Sequence, residues 1–125
     1  MQRILIIDDE RQIRDVLQQI LERAGYLTEV AGDGEEGLRR LLEQPVDLVI
    51  TDILMPGKDG LETIEAVAGL RPDLPIIAIS GGGPGEKAQF ALEMAQVCGA
   101  QRILAKPFSR QEILATVQEA LGKKP

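Results

Sequence analysis

The chain has 125 residues, enough for one domain that buries roughly two thirds of its unfolded surface in a single core. Its 44 % apolar content excludes a disordered chain, and with only 2 % aromatics the core has to be built from Leu, Ile, Val and Ala. The net charge of −6 argues against direct nucleic-acid binding, which needs a basic patch, and leads us to expect acids gathered around a cation.

Arg3–Ile7 reads as a buried strand by its length and β-branching, and Asp8-Asp9-Glu10 follows at once. From Arg11 to Ala24 the apolar residues Ile13, Val16, Leu17, Ile20, Leu21 and Ala24 recur on one helical face, closed by Gly25. Leu27–Ala31 is a second strand. Asp33 opens the next helix as N-cap with Glu36 as capping-box acid, and Pro45 closes that region. The third strand, Leu48-Val49-Ile50, delivers Asp52, after which Pro56-Gly57 supplies a turn. Asp59 and Glu62 repeat the cap, and Leu61, Ile64 and Val67 or Ala68 form that helix's apolar face.

Ile76–Ser80 is a fourth strand, followed by the glycine-rich run Gly81–Gly85. The next helix carries Phe90, Met94, Val97 and Cys98 on one side. Cys98 is the single cysteine, so no intrachain disulfide forms, and it reads as a small core residue. Ile103–Ala105 is a short fifth strand ended by Lys106-Pro107. Ser109 with Glu112 makes a capping box for a last helix striped by Ile113, Leu114, Val117 and Leu121. Five strands alternating with five helices imply an α/β fold, one parallel sheet covered on both faces.

All parallel strands end on one edge of such a sheet. There the first strand brings Asp8 and Asp9, the third Asp52, the fourth Ser80 and the fifth Lys106. Carboxylates brought together repel unless a hard cation intervenes, and Mg²⁺ takes few carboxylates while keeping waters that a phosphate can replace. Lys106 suits a phosphoryl oxygen, Ser80 offers a hydroxyl, and the adjoining glycines leave backbone amides open to an anion. Asp52, between cation and lysine, is then a nucleophile toward phosphorus. Taken singly each feature has a plainer reading: acids favouring a helix N-terminus, a surface lysine, a flexible connection. Their joint placement at four strand ends favours phosphoryl transfer.

Asp8-Asp9, Asp52 followed by Met55-Pro56-Gly57 and Asp59-Gly60, Ser80, and Lys106-Pro107-Phe108 together resemble the receiver domain of two-component response regulators, over essentially the whole chain. The resemblance implies a flavodoxin-like doubly wound (βα)5 fold with strand order 2-1-3-4-5, and a cis Lys106-Pro107 bond. It implies that Asp52 is the phosphoacceptor for a histidine kinase or phosphotransfer protein. Asp9, Asp52 and the carbonyl of Leu54 would bind Mg²⁺, with Asp8 acting largely through water. Lys106, Ser80 and the amides of Leu54 and Gly81 would contact the phosphoryl group. Phosphorylation would draw in Ser80 and shift the face made by the fourth helix, fifth strand and fifth helix, where a downstream protein would dock.

Two features depart from the family. Ile103 stands where many receivers have an aromatic switch residue, and the segment from Ser80 to Phe90 reads as a long, glycine-rich loop. A haloacid-dehalogenase-type hydrolase would need an acid two residues after Asp52, where Leu54 stands. A P-loop fails because Lys87 lacks its flanking Gly and Ser or Thr. A receiver-like scaffold working without phosphorylation is the remaining alternative. With no linker, signal peptide or membrane-length apolar run, residues 1–125 read as a single receiver domain without an output domain. Cytoplasmic, uninserted in membranes, and a monomer or weak dimer, it would catalyse only its own phosphorylation and dephosphorylation.

Overall fold

The computed structural model describes residues 1–53, 60–80 and 86–122. Five strands and five helices alternate: β1 (Arg3–Ile7), α1 (Arg11–Arg23), β2 (Leu27–Ala31), α2 (Gly34–Glu43), β3 (Leu48–Asp52), α3 (Gly60–Leu70), β4 (Ile76–Ser80), α4 (Glu86–Cys98), β5 (Arg102–Ala105) and α5 (Arg110–Ala120). All strand pairs are parallel, in the order β2-β1-β3-β4-β5. The fold is the expected flavodoxin-like doubly wound sheet. None of the described helices is long and apolar enough to cross a membrane.

The period-2 alternation of the strands divides the core in two. Leu5 and Ile7 of β1, Val49 of β3, and Ile76 and Ala78 of β4 face α2, α3 and α4, where Leu41, Ile64, Val67 and Ala95 meet them. Ile4 and Ile6, Leu48 and Ile50, and Ile77 and Ile79 face α1 and α5, packing with Leu17, Leu21, Ile113 and Val117. Each central strand is therefore apolar on both sides, which is why β1, β3 and β4 read as continuous runs rather than alternating ones. Gly37 brings α2 close to β1: a Cβ there would run into the Ile7 side chain.

Several local readings change. The α1 stripe is narrower than expected, since Val16 is 48 % exposed and Ala24 is exposed, while Leu17 and Leu21 carry the contact. On α4, Phe90 and Val97 are 64 % and 78 % exposed. The side turned to the sheet carries Ala95, fully buried, with Cys98 partly buried against the same cluster. Phe90 and Val97 are apolar enough to pass for the core face, so the pattern does not tell that side from the one that carries Ala95. The fourth helix also begins at Glu86, so residues 86–90, read as loop, are its first turn. Glu-Lys-Ala-Gln is a run of strong helix formers that takes over once Pro84 and Gly85 are passed.

The α2 cap is modified as well. Asp33 accepts from the Glu36 amide at 2.8 Å, but Glu36 reaches past the cap to the Gly32 amide at 2.6 Å. Ser109 and Glu112 form the full reciprocal box, at 3.0 and 2.9 Å. The cap expected from Asp59 lies outside the described residues. Gly25, after α1, takes φ +98°, and Lys106-Pro107 is cis.

Candidate functional site

In the order 2-1-3-4-5 the chain winds one way from β1 to β2 and the other way from β3 to β5. The strand ends of β1 and β3 therefore flank the point where winding reverses, the usual ligand crevice of an open α/β sheet. Ile7 pairs with Thr51, so the next residues on each strand, Asp8 and Asp52, emerge side by side. Ser80 pairs with Ala105, which sets Lys106 immediately beyond it, its amide donating to the Ser80 carbonyl at 2.9 Å. Register alone thus converges the expected residues.

The side chains meet. Lys106 Nζ lies 3.4 Å from Asp8 Oδ2 and 3.4 Å from Asp52 Oδ2, and 3.8 Å from Glu10 Oε1. Asp8 and Asp52 are almost wholly buried, whereas Asp9 and Glu10 are exposed. Asp8 Oδ1 accepts from the Glu10 amide at 2.9 Å, so both of its oxygens already face donors. Ser80 Oγ is buried and has no hydrogen-bond partner among the described residues. A buried hydroxyl left so is costly, which makes Ser80 a candidate to bond a ligand atom. Leu54 and Gly81, expected to contribute a carbonyl and amides, lie outside the described residues.

Burial pushes the Asp8 carboxyl up, and the Asp9 charge adds to it, outweighing the Glu10 amide and Lys106, which pull it down. Burial likewise works against the Lys106 ammonium, yet the neighbouring Asp52 and Asp8 charges hold it above the ordinary lysine value. One lysine against this many acids leaves a surplus of negative charge. Carboxylate oxygens of Asp8, Asp9, Glu10 and Asp52 lie within 4.8 Å of one another. Hard oxygen donors at that spacing, two of them open to solvent, fit a divalent cation that keeps part of its water shell.

Three residues outside the expected site set also shape this edge. Glu10 follows the two aspartates without a site role of its own in the sequence, yet its carboxylate joins the cluster. Arg14, one helical turn further on, donates from Nη1 to the Asp8 carbonyl at 2.7 Å. Gly60, first residue of α3, donates to the Ile53 carbonyl at 3.1 Å, and a Cβ on it would strike the Asp52 and Ile53 backbone. Glu10 and Gly60 stand in motifs quoted from the sequence, whereas Arg14 left only a weak signal, a cation on the polar side of α1 just after the acids.

The family model of the response regulator receiver domain matches residues 4–118. This chain belongs to that family. Our receiver is 34 % identical over 123 residues to the transcriptional regulatory protein CpxR of Escherichia coli K12, covering 98 % of this chain and 50 % of CpxR. It is 38 % identical over 119 residues to the DNA-binding transcriptional regulator NtrC of Azospirillum brasilense, covering 95 % of this chain and 24 % of NtrC. The receiver thus spans half or less of these curated relatives. Among solved structures it resembles the receiver domain of NtrX from Brucella abortus, with TM-score 0.89 and 31 % identity over 97 % of this chain and 99 % of that one. It also resembles a CheY-like receiver from Methanospirillum hungatei, with TM-score 0.88 and 31 % identity over 98 % and 95 % of the two chains.

Proposed function

We propose that this receiver accepts a phosphoryl group on Asp52 from a phosphohistidine of a sensor kinase or phosphotransfer protein, in a Mg²⁺-dependent reaction in the cytoplasm. The observation that carries the reading is the placement of Lys106 Nζ 3.4 Å from both Asp8 and Asp52, beside a buried Ser80 hydroxyl with no described partner. An Asp52 oxygen forms the new O–P bond as the donor's N–P bond breaks, and the leaving imidazole takes up a proton from solvent. Lys106 faces the charge gathering on the transferred oxygens, and Ser80 offers a hydroxyl to one of them. Asp9, Asp52 and the Leu54 carbonyl would hold Mg²⁺, with the amides of Leu54 and Gly81 turned to the phosphoryl group. The indirect role of Asp8 is supported by its two oxygens being taken up by the Glu10 amide and Lys106. When bound, the cation supplies positive charge to the donor's phosphoryl oxygens.

The receiver turns over no separate substrate in this reading. Its output is the face of α4, β5 and α5, where Phe90 and Val97 present exposed apolar surface to a downstream protein. Ile103 supports the route: it sits on β5 opposite Ala78 and packs with the cluster that holds Ala95 of α4. Repacking of Ile103 as Ser80 moves inward would therefore be felt by α4 without an aromatic switch.

Intact-mass measurement after incubation with Mg²⁺ and acetyl phosphate or phosphoramidate should show one acid-labile phosphoryl adduct, lost in Asp52→Asn. No adduct on the native chain, or an unchanged adduct on the variant, sinks the reading.

A further inference from the structure

The turn that carries the acids is fastened from behind by a residue outside the acceptor machinery. β1 ends at Ile7 and β2 at Ala31, so the ladder between them provides the Asp8 amide with its last partner, the Ala31 carbonyl at 3.1 Å. The Asp8 carbonyl is taken instead by Arg14 Nη1 at 2.7 Å, a short charge-assisted bond. That carbonyl belongs to the peptide joining Asp8 to Asp9, so holding it sets the plane from which the Asp9 carboxylate departs. The Arg14 main chain is itself anchored, its amide donating to the Glu10 carbonyl at 3.1 Å in the first turn of α1.

The same guanidinium meets the second turn of the edge. A Cβ on Gly32 would stand 3.4 Å from Arg14 Nη1 and 3.7 Å from Glu36 Oε1, so both groups converge beside that glycine. Glu36 accepts from the Gly32 amide at 2.6 Å and lies 3.8 Å from Arg40. The guanidinium that holds the Asp8 carbonyl thus also lies beside the turn that leads into α2. Arg14 contributes a positive charge to the acidic edge through a carbonyl, leaving the carboxylate oxygens facing the crevice.

We propose that Arg14 is a positioning residue for the cation site, holding the Asp8-Asp9 peptide so that the exposed Asp9 carboxylate meets Mg²⁺ together with Asp52; this rests on the receiver reading above. An arginine suits the task because its planar fork loses little freedom per bond and stays charged. Outer-shell partners of metal ligands typically change affinity by about 10- to 100-fold when removed.

The chain has no Trp, so Mg²⁺ affinity of the unphosphorylated receiver is best measured by calorimetry, on the native chain, Arg14→Met, Arg14→Lys and Arg23→Met. Arg23→Met removes the same charge from an exposed position in the last turn of α1 and should stay within about twofold of native. Arg14→Met should bind Mg²⁺ at least about tenfold more weakly, with Arg14→Lys between. The Mg²⁺ concentration giving half-maximal adduct formation should rise by the same factor, while the rate at saturating Mg²⁺ changes by less than about threefold. Arg14→Met affinity matching that of Arg23→Met overturns the positioning role while leaving phosphorylation of Asp52 intact. A native chain that binds no Mg²⁺ overturns both. Should Arg14→Met fail to fold, Arg14→Gln, neutral but still a donor, is held to the same threshold.

Discussion

Asp8 carries the tension of the site. Buried against Asp52 and beside Asp9, it is held as a carboxylate by one amide and a shared lysine. Its folded-state pKa is raised, so the folded chain binds that proton more tightly than the unfolded chain does. Ionisation of Asp8 therefore works against folding, and its contribution to stability improves as pH falls through the raised value. Lys106 has the opposite dependence. Raised above its unfolded value, it contributes stability that is complete below the unfolded lysine pKa and lost as pH climbs through the folded one. We expect Asp8→Asn, in EDTA at neutral pH, to melt at a higher temperature than the native receiver, the difference shrinking as the pH is lowered through the raised Asp8 pKa. Thermal melts across that range check this; a lower Tm for the variant at neutral pH contradicts it. Added Mg²⁺ should narrow the same gap by stabilising the native chain, because a ligand that binds only the folded state stabilises it.

At the scale of the elements, α4 differs most from its sequence pattern. Phe90, Met94 and Val97 recur at i, i+4 and i+7 and look like a core stripe, yet Phe90 and Val97 are exposed, and among the described side chains of the helix it is Ala95 that has no accessible surface. Periodicity identifies a helix but not which of two apolar sides meets the sheet. Val97→Ser should accordingly change unfolding free energy by no more than about 0.5 kcal/mol. Ala95→Leu should cost about 1–3 kcal/mol by overpacking the cluster formed with Ile64 and Val67. Urea denaturation of the two variants tests the assignment, and a reversed order would return the helix to its sequence-based orientation. Caps were more legible because their hydrogen bonds are local: Ser109 and Glu112 pair as expected. Even so, Glu36 passed over Asp33 for the Gly32 amide.

For the whole molecule, the question is how an event at Asp52 reaches α4. Lys106 is the only described cation placed on both buried acids, and it leads directly from β5. We expect Lys106→Ala to be phosphorylated, more slowly, without the change in amide hydrogen exchange across α4 that the native receiver shows. Exchange in α4 that still responds to phosphorylation in the variant would falsify that coupling. Sequence alone determined the alternation of five strands and five helices, because buried parallel strands are continuous apolar runs and most helices carry legible stripes or caps. It also determined which residues collect at one edge, because parallel strands all end on the same side. Tertiary structure decided what depends on packing and distance: which apolar side of α4 is covered, that Asp8 shares Lys106 with Asp52, and that Ser80 is enclosed. It alone joined Arg14 to the Asp8 carbonyl, since no local pattern records which carbonyl a helix side chain will reach once α1 has folded back over β1.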